Sequence, residues 1–544
     1  MKKVLIIITI SIVLILSIIG ISYALWTLNL TQTGENDIAS TCFNISFTEK
    51  DNISLQKSYP LYDKDGKKLT PYEFTITNNC DSSASYAVNL EVLNTSTLTN
   101  NEAVKVMLSK KDVNVENELK LDLLSNYKTV TKTLNNAKNA FNLTTGYLDA
   151  RESKTYDLRL WLDENVTAET LNIQNTTFNS KVIVTAKYET EIPYATNVVS
   201  NLAAKADKTS TDVYTVPDKT SDTCTYTLAY DGTSDNNLRY VGANPCNYVK
   251  IDNEYWRIIG VMNNIDDGTG KKETRVKLIR NESIGTYSWD SSDSSVNSGR
   301  GVNEWGQADL MKLLNPGYER ESVGGSLYYN NSSGNCYSDT NNATSTCDFT
   351  SSGLKTNLKD LVGNTLWHTG TNGPNDFTST SNVLVSHFYS YERSSNNGKN
   401  CTSGTYCNDM VARTTTWRGK IGLMYPSDYG YATSGDSSMN RISCLNKSLN
   451  REWYEASSCY NNDWLYNSSI DQWTLTPFAT EFSDSSIDVS GAADVEIVMT
   501  IGVVGSANAA NFYNEVLPSV YLKSSVTIVN GNGSKESPFE LLGD

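Results

Sequence analysis

Five stretches in the first third of the chain alternate apolar and polar positions with a period of two. They are Tyr72-Glu73-Phe74-Thr75-Ile76-Thr77 and the runs through Tyr86, Val88, Leu90 and Val92, through Val104, Val106 and Leu108, through Tyr156, Leu158, Leu160 and Leu162, and through Val182, Val184, Ala186 and Tyr188. Period two sends successive side chains to opposite strand faces, one for a core and one for water. Such strands, separated by Asn, Asp, Ser and Gly turns, predict an all-β sandwich over residues 25–195. Residues 114–148 are less regular and are expected to hold a short helix.

Residues 196–222 lose the alternation. A helical turn over 198–204 leads into the polar run Lys205 to Lys219, which reads as a linker. From residue 223 to the end the pattern is mixed. Apolar β runs at Tyr255 to Met262 and Arg275 to Arg280 flank Asp266-Asp267-Gly268-Thr269-Gly270, the pattern of a hairpin. Leu310, Leu313 and Leu314 mark a short amphipathic helix within Gln307 to Leu314, stopped by Asn315-Pro316-Gly317. Val383 to Phe388 reads as a strand. Long Ser/Asn/Gly-rich loops follow, and Val516 to Val529 closes the chain as a final β run. The fold class predicted is mainly β: a sandwich, then a loop-rich α+β domain at 223–544.

Residues 1–24 carry a different signal. Met1-Lys2-Lys3 is followed by an almost wholly apolar run from Val4 to Ile21 and by Ser22-Tyr23-Ala24, which has small residues where a signal peptidase cuts. The segment reads as a cleaved signal peptide or a retained N-terminal membrane anchor. Either way Leu25 onward is expected outside the cytoplasm. The membrane is then met only through this segment.

Export changes the reading of the 10 cysteines, which fall into sequence-local couples: Cys42 with Cys80, Cys224 with Cys246, Cys336 with Cys347, Cys401 with Cys407, and Cys444 with Cys459. Disulfides are the default in an oxidising compartment. A zinc site would call for C-x-x-C spacing and nearby histidines. The chain has no C-x-x-C, and its two histidines, His368 and His387, lie near no couple. No metal or cofactor is expected.

The formal net charge of -16 repels phosphate backbones, so nucleic acid is not an expected partner. Tyr and Asn abundance follows codon bias in an A/T-rich genome, which leaves the 10 Trp as the informative aromatics. Trp256, Trp305 and Trp473 sit in apolar runs and are expected in the core. Trp289, Trp453 and Trp464 lie among Ser, Asp and Asn. They are the candidate ligand-binding residues, since aromatic platforms in polar loops suit a surface glycan or peptide.

Asp63-Lys64-Asp65-Gly66 lacks the later ligands of a calcium loop and reads as a hairpin turn. Asp290, Asp293 and Asp309, close to Trp289 and Trp305, are the only carboxylate cluster weighed for glycoside hydrolysis. No G-x-S-x-G elbow is present. No catalytic residue is assigned.

The first module resembles the camelysin/TasA family of exported bacterial proteins. The likeness rests on Ser22-Tyr23-Ala24-Leu25-Trp26, Phe74-Thr75-Ile76-Thr77-Asn78-Asn79-Cys80 and Ser85-Tyr86-Ala87-Val88. It implies an Ig-like sandwich at a cell surface or in an extracellular fibre matrix. The metallopeptidase activity described for camelysin is not carried over, because this module has no His.

The second module resembles a domain of unknown function in surface proteins of gut Firmicutes, which are Gram-positive. That resemblance rests on Asn237-Leu238-Arg239-Tyr240-Val241-Gly242, Tyr255-Trp256-Arg257-Ile258-Ile259-Gly260-Val261, Ile279-Arg280-Asn281-Glu282-Ser283, Trp305 with Ala308 to Asn315, Gly422-Leu423-Met424-Tyr425-Pro426-Ser427-Asp428-Tyr429, and Trp473-Thr474-Leu475-Thr476-Pro477. By analogy it implies a C-type-lectin-like layout. Leu517 stands where the pattern carries an arginine.

Together these observations predict an exported, non-enzymatic binding or adhesion protein. The alternative is a self-associating structural subunit of an extracellular fibre, and a more distant one is an extracellular hydrolase.

Overall fold

The computed structural model describes residues 27–31, 43–47, 53–56, 60–98, 101–112, 115–131, 137–166, 177–188, 192–204, 207–208, 212–215, 224–290, 299–315, 329–330, 334–337, 343–347, 353–354, 358, 360–370, 383–394, 414–478 and 494–543. The chain divides into two compact units between Ile192 and Pro193. The segment at 1–24 and the couple Cys401/Cys407 lie outside the described residues. Among the described residues, no helix is long and apolar enough to cross a membrane.

The first unit is a two-sheet sandwich. Its strands are β1 (Thr27–Thr31), β2 (Phe43–Phe47), β3 (Ile53–Gln56), β4 (Pro60–Leu61), β5 (Tyr72–Asn78), β6 (Ala84–Leu93), β7 (Val104–Asp112), β8 (Val115–Leu123), β9 (Lys128–Thr129), β10 (Ala137–Leu148), β11 (Ser153–Asp163) and β12 (Thr177–Tyr188). One sheet runs β1-β12-β6-β10-β9, with β3 also on β12; the other runs β2-β5-β11-β7-β8, with β4 also on β11. The alternating residues named above form the core: Phe74 and Ile76, Tyr86 and Val88, Val106 and Leu108, Tyr156 and Leu158, Val182 and Val184. Tyr86 and Tyr156 join the sheets through their hydroxyls, and Tyr156 stacks on Phe74 with ring centroids 5.4 Å apart.

The short helix expected within 114–148 is a single 3-10 turn at Leu124–Asn126, and β8 and β10 occupy most of the rest of the segment. The pairing of β10 with β6 slips between Ala137 and Asn139 and again between Asn142 and Thr144. Each slip breaks the period-two pattern that would have marked the strand. Asp63–Gly66 is one short helical turn and not the expected hairpin, and Trp161 lies so close over Gly66 that a Cβ there would fall 2.3 Å from the ring.

The second unit is α+β. Its larger sheet contains β13 (Asp207–Lys208), β14 (Val213–Thr215), β15 (Thr227–Tyr230), β16 (Leu238–Tyr240), β17 (Tyr248–Ile251), β18 (Glu254–Asp266) and β19 (Lys272–Arg280), and the C-terminal strands Ser519–Tyr521, Thr527–Asn530 and Phe539–Leu542. β18 and β19 form the expected hairpin around Asp266 to Gly270. A second sheet holds Gln472–Pro477, Asp494–Val498 and Val504–Asn508. The helix Asp309–Leu314 sits where its three leucines placed it.

Two expectations are corrected here. Residues 196–222 do not form a linker throughout. The helix Ala195–Ala204 buries Ala195, Val199 and Ala203 in the core of the second unit, and β13 and β14 join that unit's sheet. Residues four apart share a helix face, so this stripe was present in the sequence. Val383 to Phe388 is not a strand. Val385–Glu392 is a helix that buries Val385, Phe388, Tyr389 and Glu392, a spacing of three, four and seven.

Cys224 and Cys246 are bonded with Cα atoms 5.1 Å apart, as are Cys444 and Cys459 at 5.5 Å. Cys80 is also disulfide-bonded; Cys42 lies outside the described residues. Cys336 and Cys347 sit on paired strands, opposite Ser345 and Gly334 respectively.

Gly260 opposes Arg239 across β16 and β18, and a Cβ on it would lie 2.2 Å from the Leu238 carbonyl oxygen. Only glycine permits that pairing. Gly260→Ala is expected to destabilise the second unit by about 1–3 kcal/mol, read as a lowered denaturant midpoint. An unchanged midpoint would contradict the register.

Candidate binding site beside a buried ion cluster

Arg239 lies between Leu238 and Tyr240 in β16 and is 1% exposed. Its Nε donates to Asp231 Oδ2 at 2.9 Å and its Nη1 to Asp428 Oδ1 at 2.7 Å. Asp231 is itself held by the backbone and side chain of Thr233 and of Asn237. Asp428 occupies the first turn of the helix Pro426–Tyr431, where its Oδ2 also accepts the Tyr425 N–H at 2.9 Å. A proline at the first helical position and a carboxylate in the first turn are what a helix start favours.

The same Oδ2 accepts from Lys277 Nζ at 2.5 Å. Lys277 is fully buried in β19, with its ammonium 4.2 Å from the centroid of Tyr425 and 5.3 Å from those of Trp367 and Tyr521. Burial, together with the nearby Arg239 and Arg393, outweighs the attraction of Asp428 and lowers Lys277 to about 8. Burial would raise Asp428, but Lys277 and Arg239 reverse that and hold it well below the usual carboxylate range.

A second pair adjoins the first. Glu392 is fully buried, accepting from the Ser427 N–H at 3.0 Å, the Ser427 hydroxyl at 2.5 Å and Arg393 Nη1 at 3.1 Å. Burial pushes Glu392 up to about 7 against the pull of Arg393. The Arg393 guanidinium stacks 3.5 Å from the centroid of Tyr389.

A small recess of about 30 Å³ opens among these groups, with Asp235, Asn264, His368, Tyr389 and Arg393 on its wall. The Tyr389 hydroxyl donates to Asp235, and Asn264 Nδ2 donates to Asp235 Oδ1 at 2.9 Å. His368 closes the strand Thr365–His368, and its N–H donates to the Tyr425 hydroxyl at 3.0 Å. Burial first, and Arg393 second, lower its imidazole to about 4. It is therefore neutral near pH 7.

The tryptophans expected as open platforms are core side chains. Trp289 and Trp453 are 0% exposed and Trp464 is 9% exposed. Trp289 donates to the Thr474 carbonyl and packs 5.2 Å from Trp305; Trp453 packs 5.3 Å from Tyr429; Trp464 donates to the Tyr240 carbonyl beneath Arg257. Polar neighbours in sequence did not mean solvent in space, because each indole found a ring or a carbonyl. Trp256, Trp305 and Trp473 are buried as expected. The Asp290 carboxylate accepts the backbone N–H groups of Val302 and Asp309 and is a loop brace. Asp293 lies outside the described residues. Among those described, no group of three or more metal-ligating side chains is gathered.

Arg239 and Asp428 fall in the motifs named above, and Lys277 in the β run Arg275 to Arg280, with no role assigned to any of them. The missed signal was a charge enclosed by apolar neighbours, as in Leu238-Arg239-Tyr240 and Val276-Lys277-Leu278.

The fold is thus a mainly β protein with a sandwich and a separate α+β unit. No protein-family profile and no curated protein matches the chain. Among solved structures it is similar to one of infectious bursal disease virus Gt strain, at 6% identity and TM-score 0.14, covering 30% of this chain and 32% of that one. It is also similar to a VP2 subviral particle of the same virus, at 9% identity and TM-score 0.13, covering 31% and 38%. The chain therefore spans well under half the length of either.

The lowered His368 pKa fixes a pH dependence. Between 6.5 and about 4 the unfolded chain binds a proton at this residue and the folded chain does not. The His368 contribution to stability is therefore complete above pH 6.5 and is lost as pH falls toward 4. We expect His368→Gln to remove roughly 1–3 kcal/mol of the stability change across this window, measured by denaturation at pH 7 and pH 4. An identical change in the variant would contradict the burial of this imidazole.

Proposed function

We propose that this chain is an exported, non-enzymatic binding or adhesion protein whose second unit recognises a surface glycan or peptide. The observation that carries the reading is the set of amide, carboxylate and aromatic groups around His368 and Tyr389, whose recess of about 30 Å³ has room for one small polar group of a larger surface ligand. Ion pairs and rings hold these groups in place. A site held rigid before binding loses little entropy when occupied. The Cys224–Cys246 and Cys444–Cys459 bridges support a location outside the cytoplasm. They also brace the loops of the unit. The resemblance of the second module to surface proteins of gut Firmicutes supports the same reading.

A second reading is a fibre subunit. It is favoured by the edges of the first unit. β1 (Thr-Leu-Asn-Leu-Thr) and β2 (Phe-Asn-Ile-Ser-Phe) carry no charge, and among the described residues each is paired on one side only. Uncharged edges accept an added strand. β8, by contrast, is guarded by Glu116, Glu118, Lys120 and Asp122.

A glycan and peptide array probed with the exported chain separates the two. We expect a ligand whose binding falls about tenfold in Asp235→Asn, the loss of roughly one charge-assisted hydrogen bond. No array binding, together with concentration-dependent fibres of the purified chain, would overturn the binding reading in favour of the second.

A further inference from the structure

We propose that Lys277 and Asp428 are a modification site at which the protein joins its own side chains through an amide bond. Lys277 Nζ lies 2.5 Å from Asp428 Oδ2, and both side chains are shielded from solvent, at 0% and 2% exposure. The amine is enclosed by the rings of Trp367, Tyr425 and Tyr521. The two groups are thus held in contact in a dry setting, the arrangement that turns a bimolecular condensation into a unimolecular step.

The chemistry balances without an added reagent. A proton passes from the Lys277 ammonium to Asp428 Oδ2, giving a neutral amine and a carboxylic acid. The pair rests ionised, with Asp428 below the usual carboxylate range, and burial lowers the cost of reaching the neutral pair by penalising both charges. The Nζ lone pair then attacks Cγ, forming the C–N bond. The C–Oδ2 bond breaks, and Oδ2 leaves as water carrying two of the three ammonium protons; the third remains as the amide N–H. Oδ1 stays as the amide oxygen.

Arg239 Nη1 already donates to Oδ1 at 2.7 Å. It is therefore placed to stabilise the negative charge that gathers on that oxygen when the carbon becomes tetrahedral. Arg239 also opposes the first proton transfer by favouring the carboxylate. Burial of Lys277 works the other way, holding its amine down to about 8. The Glu392 carboxyl fixes the backbone and hydroxyl of Ser427, the residue before Asp428, and so sets where the carboxyl group points.

The product would tie β19 to the helix Pro426–Tyr431 across a separation of 151 residues. Closing so long a loop restricts the unfolded chain in the way a disulfide does. The bond also survives reducing conditions, which the Cys bridges do not.

The test is mass spectrometry of the full exported chain after reduction and trypsin digestion. Trypsin cuts after Arg275, Arg280, Lys420 and Arg441. The proposal expects residues 276–280 joined to residues 421–441, one water lighter than the two peptides together, with no cut after Lys277. Asp428→Ala should lose the joined peptide and restore that cut. Complete cleavage after Lys277 in the parent chain, with 421–441 recovered only as a linear peptide, would overturn the proposal. So would a joined peptide that persists in Asp428→Ala.

Discussion

The second unit is organised by the need to neutralise two cations that its sheet carries into the interior. Arg239 on β16 and Lys277 on β19 are almost wholly removed from water. Both reach the same carboxylate, Asp428. An unpaired buried charge costs several kcal/mol; Arg239 shares Asp231 and Asp428 whereas Lys277 is neutralised by Asp428, so β19 takes its place only where the helix Pro426–Tyr431 presents that carboxylate. The helix in turn is fixed at its start by Glu392, which holds Ser427. Glu392 comes from the helix Val385–Glu392, so four elements remote in sequence are positioned by one set of charges. Specific geometry is the part of this arrangement that a purely apolar core would not supply. The aromatic rings around Lys277 and Arg393 add cation–π attraction and exclude water from the same volume.

Much of the fold was legible because its signals are local. The alternation at Phe74 and Ile76, or at Tyr156 and Leu158, needs only a strand with one buried face. The hairpin at Asp266 to Gly270 is encoded in its turn residues. Cys224 with Cys246 and Cys444 with Cys459 paired with their near neighbours, as their spacing suggested. What failed to show was whatever depended on distant contacts. β10 was hidden by two slips in its pairing with β6. The helix Val385–Glu392 looked like a strand because its core-facing positions were read as one apolar run and not as a spacing of three and four.

The site was less legible than the fold. Trp289, Trp453 and Trp464 were chosen for their polar neighbours in sequence, yet their rings pack against Trp305, Tyr429 and Arg257. A residue's sequence neighbours report on the backbone's surroundings, whereas a large indole reaches across to another element. Arg239 and Lys277 were visible as charges inside apolar runs, but Asp428 gave no sign that it would answer both. That pairing is made by tertiary structure across 189 and 151 residues.

If the charge cluster holds these elements together, they should open together. Native-state hydrogen exchange on the folded chain tests this directly, through the backbone amides of Arg239, Lys277 and Tyr429. All three are expected to exchange in the slowest class and with one common opening free energy, equal to that for unfolding the whole unit. Exchange of the Tyr429 amide through a separate, lower-energy opening, while the strand amides stay protected, would contradict it.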